Sequence, residues 1–563
     1  MSGTRARRWL GVAIAAALIA TLASILLRPQ LERAVRERIE SSALRHGMFA
    51  RIGSVHVGLW PFLRLEDFDL DLGHGMRLRA DTISATWPGR LRLAVRSANV
   101  VGPSGFRVSA PATAWYVTGI RGGDLRLTLI EPQAGLSIRR HSDSVGSGWD
   151  IEARRLDVGR LLDVRREGNP LLVGGIADGR VNVRSSADAL RFHVDIGARG
   201  ARFGALANNT GDEPHLGDAT DVTLRFDGNV LRAEGKGTTE IPEIKGTLAG
   251  ADLSGSIKLR DTDTDPSIDV ALGVQQLEFG RLLGAAGLAV PESLGLAPGD
   301  GDLGSATIEV RVSGDPADPA ALVVSQNIDF TPPSQMPPAI SRLRGDFVFR
   351  PEDGVGPQHP VAVSPASPDF IGLHDIPPLF VRTLLLAEDA GFYGHGGIDL
   401  RELPTALATN LSRGGAARGA STITQQLAKN LFLSREKEVG RKLQELAITF
   451  LLESALGKDR ILEIYLNIIE WGPELRGLRP AARHYFDCEP QALTPAQMAF
   501  LVSIIPGPIK YQRSIARGTP SPGLRLLIDN LLAKLRSVDV IGEEEYQQAL
   551  GDPIFVNGAA QPG

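Results

Sequence analysis

The residues with the types and spacing for chemistry form four polar clusters in the C-terminal third of the chain. In the first, Glu388 and Asp389 end an apolar run, VRTLLLAED, and a glycine-rich loop with Phe392, Tyr393, His395 and Asp399 follows. Glycines permit close backbone approach, and a carboxylate beside an apolar helix face can have a raised pKa. Both features suit a general base, although one such pair read alone is a solvated helix end. The second cluster is GASTITQQLAKN, residues 419–430. If a helix begins at Thr422, Ser421 caps it. Gln425 and Lys429 then share one face, and Gln426 and Asn430 share the adjacent one. A polar face beside a helix N-terminus can hold a phosphate or sugar hydroxyls. A capped surface helix accounts for Lys429 but leaves the paired glutamines less well explained. In the third cluster, RKLQE, Arg441 and Lys442 stand four and three residues before Glu445. Taken alone, that is an ordinary salt-bridge face contributing a few tenths of a kcal/mol. The fourth, Tyr465-Leu466-Asn467 before Gly472, reads as a helix end with a structural Asn.

These clusters need helices to hold them, and helical periodicity is what the sequence shows after Pro368. The expected helices are 377–387, 401–411, 422–433, 438–456 and 460–468. Upstream the texture is different. Between about residues 50 and 330, short runs alternate apolar and polar residues: LRLAV at 91, RVNVR at 180, LRFHVDI at 190, VTLRF at 222, SIDVAL at 267 and ATIEVRV at 306. Period-2 alternation over five to seven residues predicts half-buried strands, and the scarcity of long helical patterns favours antiparallel pairing. Asp227-Gly228-Asn229 is expected to be a hairpin turn and Gly280–Leu288 a short helix. His56, His74, His141, His193 and His215 are scattered without metal-ligand spacing. This region is similar in texture and position, though in no motif, to the repetitive β regions of AsmA-like envelope proteins. Between 331 and 360 the sequence turns proline-rich and is expected to be a connector.

The amino terminus has its own signal. Arg5, Arg7 and Arg8 precede 19 uncharged residues, Trp9–Leu27. As a helix that run is roughly 28 Å long, near the hydrocarbon thickness of a bilayer, and the arginines favour a cytoplasmic start. The expected layout is a cytoplasmic tail at 1–8, a membrane span at 9–27, a juxtamembrane helix at 28–49, a β-rich extracytoplasmic region at 50–330, the connector at 331–360 and a helical domain at 361–555.

Composition narrows the function classes. The chain has 563 residues, 61 basic and 65 acidic, for a net charge of −4. That balance argues against an electrostatic nucleic-acid binder. The single cysteine, Cys488, excludes an intrachain disulfide framework and a multi-cysteine zinc site. Six of the nine lysines lie after residue 360, which sets the C-terminal part off as a separate module.

Together the clusters are far more specific than any one alone. EDAGFYGHGGID, GASTITQQLAKN, RKLQE and YLNIIEWG stand in the order found in the glycosyltransferase domain of class A penicillin-binding proteins and monofunctional transglycosylases. Residues 365–550 resemble that family. The resemblance implies a mainly α, lysozyme-like domain at the outer face of the bacterial cytoplasmic membrane, polymerising lipid II into β-1,4 glycan strands and releasing undecaprenyl pyrophosphate. It assigns Glu388 as general base and Glu445 as the second carboxylate near the donor. Lys429, Arg441 and Lys442 fall where the family holds the pyrophosphate. Asp389, His395, Ser421, Thr422, Gln425, Gln426, Asn430 and Asn467 match motif positions around the cleft. No organic cofactor is implied. Some members place a divalent cation at the pyrophosphate, and nothing in these residues demands one. Ala390-Gly391 and Pro473-Glu474-Leu475-Arg476 depart from the family pattern, and no KTG follows to mark a transpeptidase.

The implied partners are lipid II, the nascent glycan strand, the membrane, and a separate transpeptidase or envelope protein met through the β-rich region. The bulk of the chain would be periplasmic on a single pass. The competing class is a non-catalytic envelope scaffold or lipid-handling protein whose module only binds lipid II. On this layout, a chain beginning near residue 355 is expected to fold and polymerise by itself.

Overall fold

The computed structural model describes residues 28–554 except 46–47, 59–61, 74, 87–90, 103–104, 119–124, 131–134, 143–145, 162, 167–168, 205–215, 234–235, 262–265, 298–299, 352–358, 403, 405–420, 434–438, 512–518 and 553. The tail at 1–8, the apolar span at 9–27 and most of the helix expected at 401–411 lie outside the described residues. Among those described, no helix is long and apolar enough to cross a membrane. The chain divides into two compact units, one of residues 1–272 and 284–288, the other of 273–283 and 289–563.

The first unit is sheet. Each alternating run in it falls within a strand: Leu91–Val101, Asn169–Ser185, Ala189–Phe203, Thr220–Ala233 and the start of Ser267–Glu278. Most successive strands pair antiparallel, from Phe49–Val57 with Phe62–Gly73 through to Lys236–Leu248 with Ala251–Asp261, while Ser147–Asp157 passes over Asp163–Arg166 to pair with Asn169–Ser185. Asp227-Gly228-Asn229 is not a turn. It lies inside Thr220–Ala233, where the register against Lys236–Leu248 slips between Asp227 and Asn229. Glycine is required there because a Cβ at 228 would collide with the ring of Phe192. The extra residue is on the partner strand between Glu240 and Glu243, so the Asp-Gly-Asn string runs on as continuous strand opposite a bulge. The helix expected at 28–49 spans 28–45 and is docked as well as solvated. Val35 and Ile39 pack on Ile52, Val55 and Leu65, and the Val57 amide donates to Glu32 Oε1 at 3.0 Å.

The second unit is mainly helical, yet it begins well before the proline-rich stretch. Ser305–Gly314, which carries the last alternating run, pairs with Val323–Thr331. Phe330 stacks on Phe450 of the Val439–Ala455 helix at 5.3 Å, with Phe279 5.6 Å from the same ring. Gln326 clasps the loop before the 400 turn, donating to Ile398 O at 2.8 Å and accepting from Leu400 N at 2.7 Å. The expected connector at 331–360 is also built into this unit. Pro338 opens a helical turn, Phe347–Phe349 pairs with Val361–Val363, and Ile340, Leu343, Phe347 and Phe349 are buried. The prolines mark turn starts, where fixed φ and a missing N–H cost nothing. The apolar residues between them decide that the segment folds. Four expected helices form with ends shifted by one or two residues: Pro378–Glu388, Ile423–Phe432, Val439–Ala455 and Lys458–Ile468.

Candidate active site

The Ile423–Phe432 helix organises the site. Its N-cap is Thr422, not Ser421. The Thr422 hydroxyl accepts from Gln425 N at 3.2 Å and the Gln425 side chain accepts from Thr422 N at 3.0 Å, a reciprocal capping box. Gln425 is 4% exposed and used in this cap, so it does not line a polar face with Lys429. The Thr422 hydroxyl also donates to Gly397 O at 2.6 Å, tying the helix start to the glycine loop. Gly397 has φ +97°, and a Cβ there would lie 2.6 Å from Thr449 Cγ2, so both conformation and space demand glycine.

Asp389 completes that joint. Its Oδ2 accepts from Ile423 N at 2.9 Å, at the positive end of the helix, and its Oδ1 contacts His395 Nε2 at 2.8 Å. The amide of Gly397 donates to His395 Nδ1 at 3.0 Å, which places the ring hydrogen on Nε2, facing Asp389. Both side chains are buried, so Asp389 and His395 position the cleft rather than face it. The loop closes through Asp399, which accepts from Arg401 Nε and Nη2 at 2.8 Å each. Burial pushes the Asp399 pKa up, but the Arg401 bonds outweigh it and hold the carboxyl below its ordinary value. A Cβ at Gly391 would come within 2.6 Å of Asp399 Oδ2, so this ion pair explains one departure from the family motif.

Glu388, the last residue of its helix, is half-buried. Gln426 Nε2 donates to its Oε2 at 2.8 Å, and Gln426 Oε1 accepts from the Tyr465 hydroxyl at 2.9 Å. Tyr465 is fully buried. Burial raises its pKa well above the ordinary value, and the Glu388 and Asp389 charges add to that. Its phenol therefore stays protonated and fixes the amide so that its NH₂ faces the carboxylate.

Glu445 approaches from the Val439–Ala455 helix. It is 5% exposed, and Lys442, one turn earlier, donates to its Oε1. Lys442 Nζ also reaches Ser421 Oγ at 3.3 Å, just before the Ile423–Phe432 helix. Ser421 thus serves as a partner for Lys442, and that one helix connects both carboxylates. Lys429 lies in its last turn, half-buried, and Arg441 is half-buried beside Lys442. Two expected site residues lie elsewhere. The Asn467 amide is used on backbone: Oδ1 accepts from Ile371 N at 2.9 Å, and Nδ2 donates to Ile371 O and Glu463 O. Asn430 lines a separate cavity with Arg342, Phe349 and Arg350.

Sequence reasoning passed over Glu453. Its Oε1 accepts from Thr424 at 2.5 Å and Lys458 at 2.8 Å, and Lys458 Nζ lies 4.4 Å from the Phe392 ring centre. The available signal was the helical spacing from Glu445 to Thr449 and Glu453, which puts all three on one stripe. Pro473 and Glu474 form a tight turn between two short strands, Glu470–Gly472 and Leu475–Arg476, with Glu474 at φ +58°.

Comparison with known proteins places these residues in context. The model of the transglycosylase family matches residues 359–521. Biosynthetic peptidoglycan transglycosylase from Nitrosomonas eutropha is 53% identical over 130 residues, covering 23% of this chain and 53% of that protein. Those from Dechloromonas aromatica and Herminiimonas arsenicoxydans are each 42% identical over 159 residues, covering 28% of this chain and 67% of theirs. The chain spans about half the length of the first curated relatives it matches.

Proposed function

From the premise that this chain belongs to the transglycosylase family, we propose that it is a peptidoglycan glycosyltransferase. Its substrates are lipid II and the growing lipid-linked glycan. Glu388 takes the proton of the acceptor 4-hydroxyl as that oxygen attacks the donor anomeric carbon. The bond from that carbon to the pyrophosphate breaks, its electron pair leaves on phosphate, and inversion gives a β-1,4 linkage. Lys442, Arg441 and Lys429 offset the growing charge on the leaving group. Glu445, with Lys442 on its oxygen, supports charge at the donor sugar.

The observation that carries this reading is the double use of the Ile423–Phe432 helix. Gln426 on it orients Glu388, and Ser421 at its start meets the Lys442–Glu445 pair. A base needs a fixed carboxylate, and a leaving group with two phosphates needs cations close by. Among the described residues no three His, Cys, Asp or Glu side chains are grouped to hold a metal. A divalent cation at the pyrophosphate would take its ligands largely from phosphate oxygens and water.

The apolar run at 9–27 supports anchoring in the cytoplasmic membrane with the bulk of the chain periplasmic, where lipid-linked donors are available. The sheet unit carries no catalytic group in this reading. It serves position or partner choice, including contact with a separate transpeptidase or another envelope protein. The deciding experiment is incubation of purified full-length protein with lipid II, followed by product analysis. Polymeric glycan with released polyprenyl pyrophosphate supports the proposal. Unchanged lipid II that remains bound would instead make the module a lipid-binding scaffold.

A further inference from the structure

We propose that the sheet of the first unit carries a binding site for an acidic oligosaccharide, centred on Arg184 and Arg191. The inference does not rest on the transferase reading, since every residue in it belongs to strands between 135 and 248. Arg184 and Arg191 are direct cross-strand partners in the Asn169–Ser185 and Ala189–Phe203 pairing. Like charges in that relation repel. Arg184 is partly compensated by Asp150, its Nη1 lying 3.1 Å from Oδ1. Arg191 has no ion pair among the described residues. Two adjacent cavities, of about 340 and 260 Å³, share these two arginines as their common wall.

Each cavity also holds a buried polar atom that lacks a hydrogen bond. On one side it is His141 Nε2, on the other Asn229 Oδ1. Arg184 Nη1 contacts His141 Nδ1 at 3.4 Å, and a guanidinium can only donate. Asp150 Oδ2 lies 3.5 Å from the same Nδ1, and Nε2 is left as a buried ring nitrogen without a partner. Asn229 Oδ1 is an unsatisfied acceptor. Leaving such groups unpaired is unfavourable, so a ligand that satisfies both gains by it. The required ligand brings an anion to the arginines and hydroxyls to His141 Nε2 and Asn229 Oδ1, a hydroxyl being able to donate or accept. Asp227 and Glu240 in the second cavity add hydroxyl acceptors and disfavour a polyanion such as nucleic acid, while Phe192 offers an apolar ring.

The geometry also sets a length. Residues His141, Gly148, Arg184, Arg191 and Asn229 succeed one another across five neighbouring strands. At about 4.8 Å per strand, the row is roughly 19 Å long, more than a single sugar. Gly148 keeps the row in shape, because a Cβ there would lie 2.5 Å from His141 Nε2 and 2.6 Å from Arg184 Nη1.

The test is calorimetric titration of the full-length protein and of Arg191→Glu. The probes are a tetrasaccharide bearing carboxylated sugars, the same chain bearing phosphorylated sugars, the neutral N-acetylglucosamine tetrasaccharide, and inorganic phosphate. The quantity of interest is the binding component that Arg191→Glu removes, which separates this site from any saccharide bound at the transferase cleft. Arg191→Glu replaces repulsion with attraction beside Arg184, so its melting temperature should match or exceed the parent's. The expected result is at least tenfold preference for an acidic over the neutral tetrasaccharide, lost in the variant. Which acidic chain binds more tightly identifies carboxylate or phosphate as the natural group. Equal affinity for acidic and neutral chains, or unchanged affinity in a folded Arg191→Glu protein, overturns the proposal. So does phosphate binding as tightly as either acidic chain, which would mark a simple anion site.

Discussion

Gln426 Nε2 lies 2.8 Å from Glu388 Oε2, and the opposite end of the same amide is held by the Tyr465 hydroxyl. The proposed base is thus set by a chain of three residues on three helices, with the deepest member fully buried. Gln426→Ala should leave the Tyr465 hydroxyl buried without its partner and destabilise the protein by about 1–3 kcal/mol. It should also lower kcat more than it raises KM, because the amide positions the carboxylate without binding substrate in this account. Urea unfolding together with steady-state lipid II kinetics checks both, and a KM effect alone would place Gln426 in substrate binding instead.

Lys442 stands between two partners, Glu445 and Ser421, and half of its side chain is exposed. Exposure at this position suits a cation that meets a phosphate. Lys442→Ala should reduce turnover by about 10²–10³-fold, the usual cost of losing one preorganised charge at a developing anion. Lys442→Arg should retain substantially more activity. Wild-type turnover in the alanine variant would return Lys442 to an ordinary helix salt bridge.

The helices and strands of this protein were largely legible, because burial of one face imposes a period of 3.6 or 2 on the sequence. Six alternating runs lie on strands, and the four helices that carry the site form within one or two residues of expectation. The motif residues were legible by type but not always by role. Ser421 and Thr422 both have capping chemistry, and the reciprocal bonds of Thr422 with Gln425 decide between them. Asn467 and Gln425 look like ligand-binding amides in a string, yet backbone groups occupy them, Thr422 N three residues from Gln425 and Ile371 N 96 residues from Asn467. Asp227-Gly228-Asn229 has turn composition, but it pairs in unbroken register with Arg191–His193, and the ring of Phe192, 36 residues away, covers Gly228. Long-range contacts of this kind leave no local periodicity.

The domain boundary was the least legible feature, and it changes an expectation. A chain beginning near residue 355 would lack Gln326, Phe330, Ile340, Leu343, Phe347 and Phe349, all of which are packed or hydrogen-bonded within the catalytic unit. Loss of several buried apolar side chains, each contributing about 1.5–3 kcal/mol, exceeds the margin of a typical domain. That fragment should therefore fail to show a cooperative thermal transition, whereas a chain beginning at residue 273 should retain one. Circular dichroism melts of the two fragments decide between this boundary and the proline-rich one.

Acid should act on the loop that carries Asp399. Its folded pKa is below the ordinary value of 3.8 because the Arg401 bonds outweigh burial. A carboxyl with a depressed folded pKa contributes stability that is fully present above about pH 4 and lost as pH falls through the folded value. Melting temperature followed from pH 7 to pH 2.5 should drop at the acid end, and Asp399→Asn should flatten that part of the curve. An unchanged acid limb in the variant would show that another carboxylate is responsible.

The central claim is that Glu388 removes the proton from the acceptor hydroxyl. It is tested most directly by comparing lipid II polymerisation by the full-length protein and its Glu388→Gln variant, with melting temperature as a control for folding. The amide has nearly the shape of the carboxylate but cannot accept the proton. The predicted outcome is a folded variant whose polymerisation rate falls by about 10²–10⁴-fold, the range expected for loss of general-base help. A folded Glu388→Gln protein that polymerises lipid II at a rate close to that of the parent would contradict the account.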